Sequence, residues 1–308
     1  MAAELKGTVL SGANNIFFVR TTAGVRQCRI KGKVLDVPDR EYNPLAPGDE
    51  VVLEAGMDQE ALIAARVPRR TVVTRFNRKR NAVQALAANV DVLACVASVG
   101  RPEFRAGLLD RMLVIAAWSG VAARIVITKS DLPIAEPTAA ELEVYRGLGF
   151  PVFQVSALAN AGKEQLSSAF AGLRVMLLGH SGVGKSSLIR WLVPTWDAAT
   201  AEVVAVTGKG RHTTTVGTLY HGDGAAFELV DTPGVRELDI RTVPAAELGS
   251  CFPEIARLSP LCRFQPCTHT HEPGCAVQAG ALSGTIHLRR LQSYRRLYAE
   301  TEELQRIW

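Results

Sequence analysis

The chain has 308 residues, of which 47% are hydrophobic and 21% charged, as is normal for a folded protein of one to three domains. The sequence contains no apolar run as long as a membrane helix, and its N-terminus lacks the hydrophobic region of a signal peptide, so a cytoplasmic location is expected. The formal net charge is +5, and residues 1–80 carry the whole excess with 14 basic and 9 acidic residues.

Residues 1–68 predict a small β-barrel. They contain the short β-rich runs "GTVLSGANNIFFVRT", "GVRQCRIKGKV" and "GDEVVLEAG", which are separated by Gly, Asn, Pro and Asp and show no helical periodicity. Closing about five such strands into a barrel removes exposed strand edges. We expect an OB-type barrel, although an SH3-like barrel fits the pattern nearly as well.

A basic segment, residues 69–87, follows the predicted barrel. Its densest part, "RRTVVTRFNRKR" (Arg69–Arg80), has six basic residues and no acidic one. Two interpretations stay open: a solvated linker, or a phosphate-binding strip beside a nucleic-acid-binding module.

Residues 88–244 predict an α/β domain. The apolar runs "NVDVLACVASV", "ARIVITKSD", "PVFQVSA" and "LRVMLLG" alternate with helical patterns, and a hairpin follows in "TVGTLYHGDGAAFELVDTPG". Such alternation is typical of a doubly wound parallel sheet, which binds ligands at the carboxyl ends of its strands.

The segment "GHSGVGKS" matches the P-loop pattern G-x-x-x-x-G-K-[ST] between a predicted strand and a predicted helix. Its glycines let backbone N–H groups turn toward phosphate oxygens. Lys185 is expected to reach the β- and γ-phosphates and to support catalysis, and the Ser186 hydroxyl is expected to bind Mg²⁺. The predicted nucleotide-binding residues here are Gly179, His180, Ser181, Gly182, Val183, Gly184, Lys185, Ser186 and the adjacent Ser187.

The tetrapeptide "DTPG" matches the D-x-x-G switch motif of GTPases. Asp231 closes a predicted strand and is expected to hold Mg²⁺ through water, and the Gly234 N–H is expected to meet the γ-phosphate. The tetrapeptide alone is an ordinary turn sequence, but its position at a strand end downstream of the P-loop indicates a switch motif.

The segment "TKSD", Thr128 to Asp131, is the predicted base reader. The Asp131 carboxylate matches the two N–H donors of guanine, whereas adenine would leave it buried and unpaired at a cost on the order of several kcal/mol. The Lys129 stem would cover the base, and the backbone of Ser156 and Ala157 in "SAL" would contact the guanine oxygen.

These motifs occur in an unusual order, because the base reader precedes the P-loop. Joining the termini of an ordinary GTPase and opening the chain between switch and base reader produces this order. The chain resembles, over essentially its full length, the ribosome-small-subunit-dependent GTPase A family of circularly permuted GTPases, with the marks "GHSGVGKSSL", "GRHTTT", "DTPGVRE" and "CRFQPCTHTHEPGCAV". Thr128 departs from the Asn that is usual there.

The resemblance implies an N-terminal barrel, a circularly permuted P-loop GTPase domain, and a helical zinc-binding module over residues 245–308. It also implies GTP hydrolysis coupled to late maturation of the small ribosomal subunit, with rRNA as the contact. We expect a monomer that does not associate with membranes.

The loop "TGKGRHTTTVG", Thr207 to Gly217, has the composition of a switch that orders on phosphate and Mg²⁺. The resemblance selects Thr214 as the magnesium ligand, with Thr213 and Thr215 as alternatives. Val235 occupies the position of the water-orienting glutamine of Ras-like GTPases, so His212 becomes the candidate for that role. Slow hydrolysis, accelerated by a partner, is therefore expected.

Cys262, Cys267, His269 and Cys275 form the pattern C-x4-C-x-H-x5-C. Three thiolates and one imidazole suit a closed, structural zinc site, and an iron–sulfur cluster is less suited to this spacing. His271 is also within reach, but alternation points it away from His269, and the family pattern selects His269.

Two alternatives to a small-subunit GTPase are disfavoured by the sequence. One is a permuted GTPase of the large subunit, which the combination of barrel and zinc cluster disfavours. The other is an RNA-binding protein that senses nucleotide without hydrolysing it, which the intact Lys185, Ser186 and Asp231 disfavour.

Overall fold

The computed structural model describes residues 5–13, 15–32, 35, 43–55, 61–78, 80–193, 217–221, 226–231 and 238–306. These residues form a barrel, a hairpin, a six-stranded sheet flanked by helices, and a helical C-terminal module. Among these same residues, none of the helices is both long and apolar enough to cross a bilayer.

The N-terminal residues form a closed five-stranded barrel with the order β1-β2-β3-β5-β4, in which β4 pairs back onto β1. The strands are β1 (Leu5–Ala13), β2 (Ile16–Thr21), β3 (Gly24–Ile30), β4 (Glu50–Ala55) and β5 (Ala61–Arg66). β3 and β5 pair in parallel, while the other pairs are antiparallel. This order confirms the OB-type barrel over the SH3-like one, and alternate residues such as Val9, Val19 and Ile63 fill its core.

The segment predicted as a basic linker contains an antiparallel hairpin of β6 (Val72–Asn77) and β7 (Ala82–Ala88). Asn81 turns the chain with a φ of +49°, which Asn tolerates better than most residues. Val73 and Phe76 of β6 are buried, and Val73 belongs to the main hydrophobic core. A register shift between Val73 and Thr74 places these two buried residues three positions apart, so the strand lacks a simple alternation in the sequence.

The central domain is a sheet with the order β10-β9-β8-β11-β13-β12, in which only β12 is antiparallel to its neighbour. Its strands are β8 (Val92–Ser98), β9 (Ala122–Thr128), β10 (Val152–Gln154), β11 (Arg174–Leu178), β12 (Thr218–His221) and β13 (Glu228–Asp231). The predicted α/β fold and hairpin are thus confirmed.

Helices cover both faces of this sheet: α1 (Ala106–Trp118), α2 (Glu136–Gly147), α3 (Lys163–Phe170) and α4 (Lys185–Leu192). Successive residues of β8 point to opposite faces, so Leu93 packs in the cluster of α1 and α2 while Ala94 packs in that of α3 and α4. Burial on both faces explains the continuous apolar run of this strand.

The C-terminal module consists of a 3-10 helix (Ala245–Cys251), α5 (Pro253–Leu258), a short 3-10 turn (Ser259–Leu261), α6 (Ala276–Leu282) and α7 (Leu288–Arg306). Arg290 of α7 is 1% exposed and donates hydrogen bonds to Glu254 at 2.6 Å and to Asp110 of α1 at 2.5 Å. The guanidinium also lies 4.5 Å from the centre of the Phe252 ring. A buried charged network therefore joins the module to the central domain.

Candidate nucleotide and metal sites

The predicted motifs converge at one edge of the sheet. Thr128 ends β9 and pairs with Ser98 at the end of β8, while Leu177 of β11 pairs with Asp231 at the end of β13. The P-loop follows β11 directly. The structure therefore brings the phosphate loop, the switch aspartate and the base reader together, despite their inverted order.

The phosphate loop needs glycine at several positions. Gly182 and Gly184 have φ values of +84° and +102°, in the left-handed region that favours glycine. A Cβ at Gly179 would lie 2.3 Å from the main-chain oxygen of Val96. The loop thus crosses close to β8 before α4 begins at Lys185.

Lys185 is buried and lies back across its own loop. Its Nζ donates to the main-chain oxygens of Gly179 at 2.6 Å and His180 at 3.1 Å. Burial lowers the pKa of the Lys185 ammonium, while the charge of Asp231 opposes that effect. Ser186 and Ser187 are exposed in the first turn of α4. This arrangement offers a cation and hydroxyls to a phosphate.

Asp231 is buried at the end of β13, opposite Thr218 of β12. Its carboxylate is near enough to Lys185 to influence the pKa of that ammonium. After burial itself, the charge of Asp231 is the next cause that raises the pKa of Tyr220. A carboxylate close to the phosphate-binding lysine has the chemistry to hold Mg²⁺, a hard cation that prefers oxygen ligands.

Thr128 has a role that the sequence did not reveal. Its buried hydroxyl lies 2.5 Å from the main-chain oxygen of Val183 in the P-loop and 3.1 Å from that of Ala97. Thr128, which stands in place of the usual Asn, therefore joins the predicted base reader to the phosphate loop by a hydrogen bond. Lys129, with a φ of +60°, adds a second link from its Nζ to Gly182 at 3.0 Å.

Asp131 is exposed and held in place by the buried Ser156. The Ser156 hydroxyl donates to Asp131 Oδ1 at 2.5 Å and accepts from the Ala159 N–H at 3.0 Å. Ala157, between these residues, is half-buried. The carboxylate is thus oriented while its outer edge stays open to a ligand. His212, Thr213, Thr214, Thr215, Gly234 and Val235 lie outside the described residues.

The four predicted metal ligands come together in the C-terminal module. The ligand atoms of Cys262, Cys267, His269 and Cys275 all lie within 4.8 Å of one another. His269 presents Nδ1, at 3.6 Å from Cys262 Sγ and 3.4 Å from Cys275 Sγ. His271 is exposed and hydrogen-bonded to Thr270, so it is turned away from the cluster.

The chemistry of the cluster calls for a cation. Burial raises the pKa of Cys267 to about 12, with the neighbouring thiols of Cys275 and Cys262 adding to the effect and a backbone hydrogen bond from His269 opposing it. Burial lowers the pKa of His269, which favours the neutral, ligating imidazole. Grouping three thiols with an imidazole inside a small module gains stability once a metal ion binds the thiolates.

The loop around the cluster is fixed by hydrogen bonds. Glu272 accepts from the backbone N–H groups of Thr268, Thr270 and His271. Burial alone would raise the pKa of Glu272, but a hydrogen bond from the Thr268 hydroxyl, followed by backbone N–H bonds that include those of Thr268 and His271, lowers it to about 2. Tyr294 of α7 donates to the Thr268 oxygen at 2.9 Å, so the loop is also tied to the terminal helix.

Several arginines of the segment Arg69–Arg80, here called the basic strip, form ion pairs with acidic residues of this chain. Arg69 binds the fully buried Asp49 with two hydrogen bonds of 2.7 and 2.8 Å, and Arg70 lies 3.1 Å from Asp91. Arg78 donates to Asp239 at 2.9 Å. These partners lie far away in sequence, which is why residue order did not predict them.

The barrel and hairpin lie against residues beside the predicted switch. A Cβ at Gly217 would be 3.2 Å from Pro47 of the barrel and 3.4 Å from the main-chain oxygen of Leu86 in β7. Glu228, which begins β13, accepts from Arg174 at 2.7 Å and is also paired with Arg20 of the barrel. The barrel therefore contacts β13, the strand that ends at Asp231, and the residue Gly217 at the end of the predicted switch loop.

Fold and site define a class: a P-loop GTPase whose domain is circularly permuted, with the base reader ahead of the phosphate loop. A model of the family described as RsgA GTPase matches residues 66–241. The chain belongs to the RsgA GTPase family, and it is a GTP-hydrolysing enzyme.

Relatives and solved structures agree with this assignment. A Pseudomonas aeruginosa protein named small ribosomal subunit biogenesis GTPase RsgA is 38% identical over 262 residues, 84% of this chain and 76% of that protein. A Borrelia recurrentis protein of the same name is 34% identical over 294 residues, 95% of this chain and 93% of that one. YjeQ from Thermotoga maritima superposes with a TM-score of 0.75 at 27% identity, covering 97% of this chain and 98% of that chain. YloQ, described as a circularly permuted GTPase, gives 0.70 at 27% identity, covering 98% and 96%.

Proposed function

We propose that this GTPase binds the small ribosomal subunit and couples GTP hydrolysis to its late maturation, with slow hydrolysis until the subunit is bound. The names of the relatives support the subunit as partner. An OB-type barrel beside a basic hairpin supports rRNA as the surface contacted, because such barrels bind oligonucleotides. The protein is proposed to act as a cytoplasmic monomer.

One observation carries the coupling. Pro47 of the barrel and Leu86 of the hairpin lie against Gly217, the last residue of the predicted switch loop. A partner that holds the barrel and hairpin therefore acts on the end of the loop that is proposed to contact phosphate and Mg²⁺. Subunit binding would favour the arrangement that hydrolyses GTP, and GTP would in turn favour subunit binding.

Each residue of the nucleotide site is proposed to have a separate role in binding or hydrolysis. Lys185 exchanges its two carbonyl acceptors for β- and γ-phosphate oxygens, and the P-loop N–H groups hold the remaining phosphate oxygens. Ser186, Asp231 and Thr214 would hold Mg²⁺, which when bound offsets the charge of the phosphates. His212 would orient the attacking water in place of the missing glutamine.

The metal bound by the Cys262, Cys267, His269 and Cys275 cluster is proposed to be zinc. The donor set of three thiols and one imidazole suits zinc in tetrahedral coordination. With four protein ligands the site is closed, so its role is to stabilise the module rather than to take part in hydrolysis.

Phosphate release from GTP, measured with and without purified small subunits, tests the proposal. We expect slow release by the free protein and marked acceleration by small but not large subunits. Ser186→Ala, which removes the proposed magnesium-binding hydroxyl, is the control and should abolish Mg²⁺-dependent release in both conditions. Equal rates with and without small subunits would contradict the proposal.

A further inference from the structure

The loop between the first two metal ligands presents an aromatic ring to solvent. Phe264 is 48% exposed and Leu261, just ahead of the loop, is 70% exposed. The Arg263 guanidinium lies 5.3 Å from the centre of the Phe264 ring. An exposed apolar patch rimmed by polar groups marks an interaction site, whereas an exposed apolar side chain by itself is normal, so the surroundings of this ring decide its meaning.

The loop is rigidly held. Cys262 and Cys267 fix its two ends in the metal cluster. Within it, the Arg263 N–H donates to the Gly274 oxygen at 3.1 Å and the Gln265 side chain donates to the Ser259 oxygen at 2.7 Å. The ring is therefore presented in a defined position, which lowers the entropic cost of binding a partner through it.

The charged residues that residues 253–275 expose to solvent are basic. Residues 253–275 contain two acids and two arginines. The acids are turned inward, because Glu254 is buried against Arg290 and Glu272 is engaged by backbone N–H groups. Arg257 and Arg263 are exposed. The solvent-exposed charged residues of this stretch are thus both arginines, and Arg263 lies beside the Phe264 ring, which favours a polyanionic partner over an apolar protein surface.

We infer that Phe264, with Arg263 beside it, is a stacking platform for an unpaired base of RNA. This inference rests on the proposed binding to the small subunit and adds a contact of stated chemistry to it. Every base has a π-face, so stacking on an aromatic ring tolerates any sequence, while an arginine contributes charge and cation–π attraction. The loop contributes base contact, in contrast to the phosphate contacts expected of the basic hairpin.

Affinity of the full chain for small subunits is the first test. Phe264→Leu keeps an apolar side chain and removes the ring, and it should weaken binding by about 5- to 150-fold, the range for one stacked base. Phe264→Trp should retain binding. Trp118→Leu, which removes an exposed aromatic residue from α1, is the matched control and should leave binding unchanged. Each variant must retain one metal ion per chain and the basal rate of GTP hydrolysis.

Photocrosslinking identifies the partner. p-Benzoylphenylalanine placed at position 264 should form an adduct with RNA when the chain is bound to small subunits and irradiated, and the same group at position 118 should not. An adduct with ribosomal protein only would make the loop a protein-docking site and overturn the inference, as would unchanged affinity of Phe264→Leu. Both outcomes leave subunit binding by the unaltered chain intact, whereas failure of the unaltered chain to bind overturns the proposed function as well.

Discussion

The Thr128 hydroxyl lies 2.5 Å from the main-chain oxygen of Val183 and thereby joins the base reader to the phosphate loop. These two segments are 55 residues apart in sequence and are predicted to bind opposite ends of a nucleotide. Gly184 belongs to the same contact, because a Cβ there would lie 3.7 Å from Thr128 Oγ1. The predicted guanine-binding and phosphate-binding segments are therefore joined by a hydrogen bond at this residue.

Thr128→Val, which replaces the hydroxyl by a methyl group, should weaken binding of GTP and GDP equally. One buried hydrogen bond is lost and a carbonyl is left without its partner, at a cost of about 1–2 kcal/mol or roughly 5- to 30-fold in affinity. Equilibrium titration with both nucleotides measures this effect. Thr128→Asn, which restores a polar side chain, should recover most of the affinity; wild-type affinity in Thr128→Val would show that the link has no function.

Asp131→Asn should lower the affinity for guanine nucleotides and leave binding of the phosphates intact. The amide cannot accept from both guanine N–H donors, and loss of a hydrogen bond to a charged group costs about 1.5–3 kcal/mol. Titrations with GTP, XTP and ATP measure it, and XTP should gain relative to GTP because its oxygen can accept from the amide. Ser156→Ala, which frees the Asp131 carboxylate and also removes an acceptor from the Ala159 N–H, is the control and should weaken GTP binding without improving XTP binding.

The order of the motifs and the metal ligand set could be predicted from the sequence because both are local patterns. The strand before Gly179 and the short spacing from Cys262 to Cys275 each lie within one segment. In contrast, the pairing of Arg290 with Asp110 joins residues 180 positions apart and leaves no mark on the sequence around either. The choice between barrel types likewise depends on the pairing of β3 with β5, which composition does not fix.

Arg290→Met should destabilise the protein strongly. The change leaves Glu254 without its buried partner, whereas Asp110 keeps its ion pair with Arg289, and breaking a buried ion pair typically costs about 3–5 kcal/mol. Urea unfolding followed by circular dichroism measures the loss. The double variant Arg290→Met, Glu254→Leu should be more stable than Arg290→Met alone, since it removes the uncompensated charge; an equal or larger loss would mean that packing against Phe252, not charge, dominates.

Metal removal should affect the C-terminal module before the nucleotide site. A strong chelator leaves the cluster thiols close together without a compensating cation, so the loop around His269 and helix α6 should lose protection in hydrogen exchange. GTP binding should persist, because Lys185 and Asp131 make no contact with the cluster ligands among the described hydrogen bonds. Metal analysis should find one zinc ion per folded chain, and a folded protein without zinc would disprove the assignment.

The basic strip should contribute unevenly to RNA binding, because its members differ in their internal partners. Arg78 is paired with the buried Asp239, whereas Arg75 hydrogen-bonds the neutral side chain of Gln84. Arg75→Gln should therefore remove a phosphate contact at little cost in stability. Arg78→Gln should lower the free energy of unfolding by about 1 kcal/mol, since Asp239 keeps its bonds from Arg241.

Cosedimentation with small subunits over a series of salt concentrations distinguishes an arginine that contacts RNA phosphate from one that is mainly paired within the protein. Each phosphate contact contributes about 0.7–0.9 to the slope of log affinity against log salt, because binding releases condensed counterions. Arg75→Gln should flatten the slope by about that amount, while basal GTP hydrolysis stays nearly unchanged. Arg78→Gln should flatten the slope less, because the guanidinium of Arg78 in the unaltered chain is already paired with Asp239. Equal slopes for Arg75→Gln and the unaltered chain would place the RNA contact elsewhere than on this hairpin.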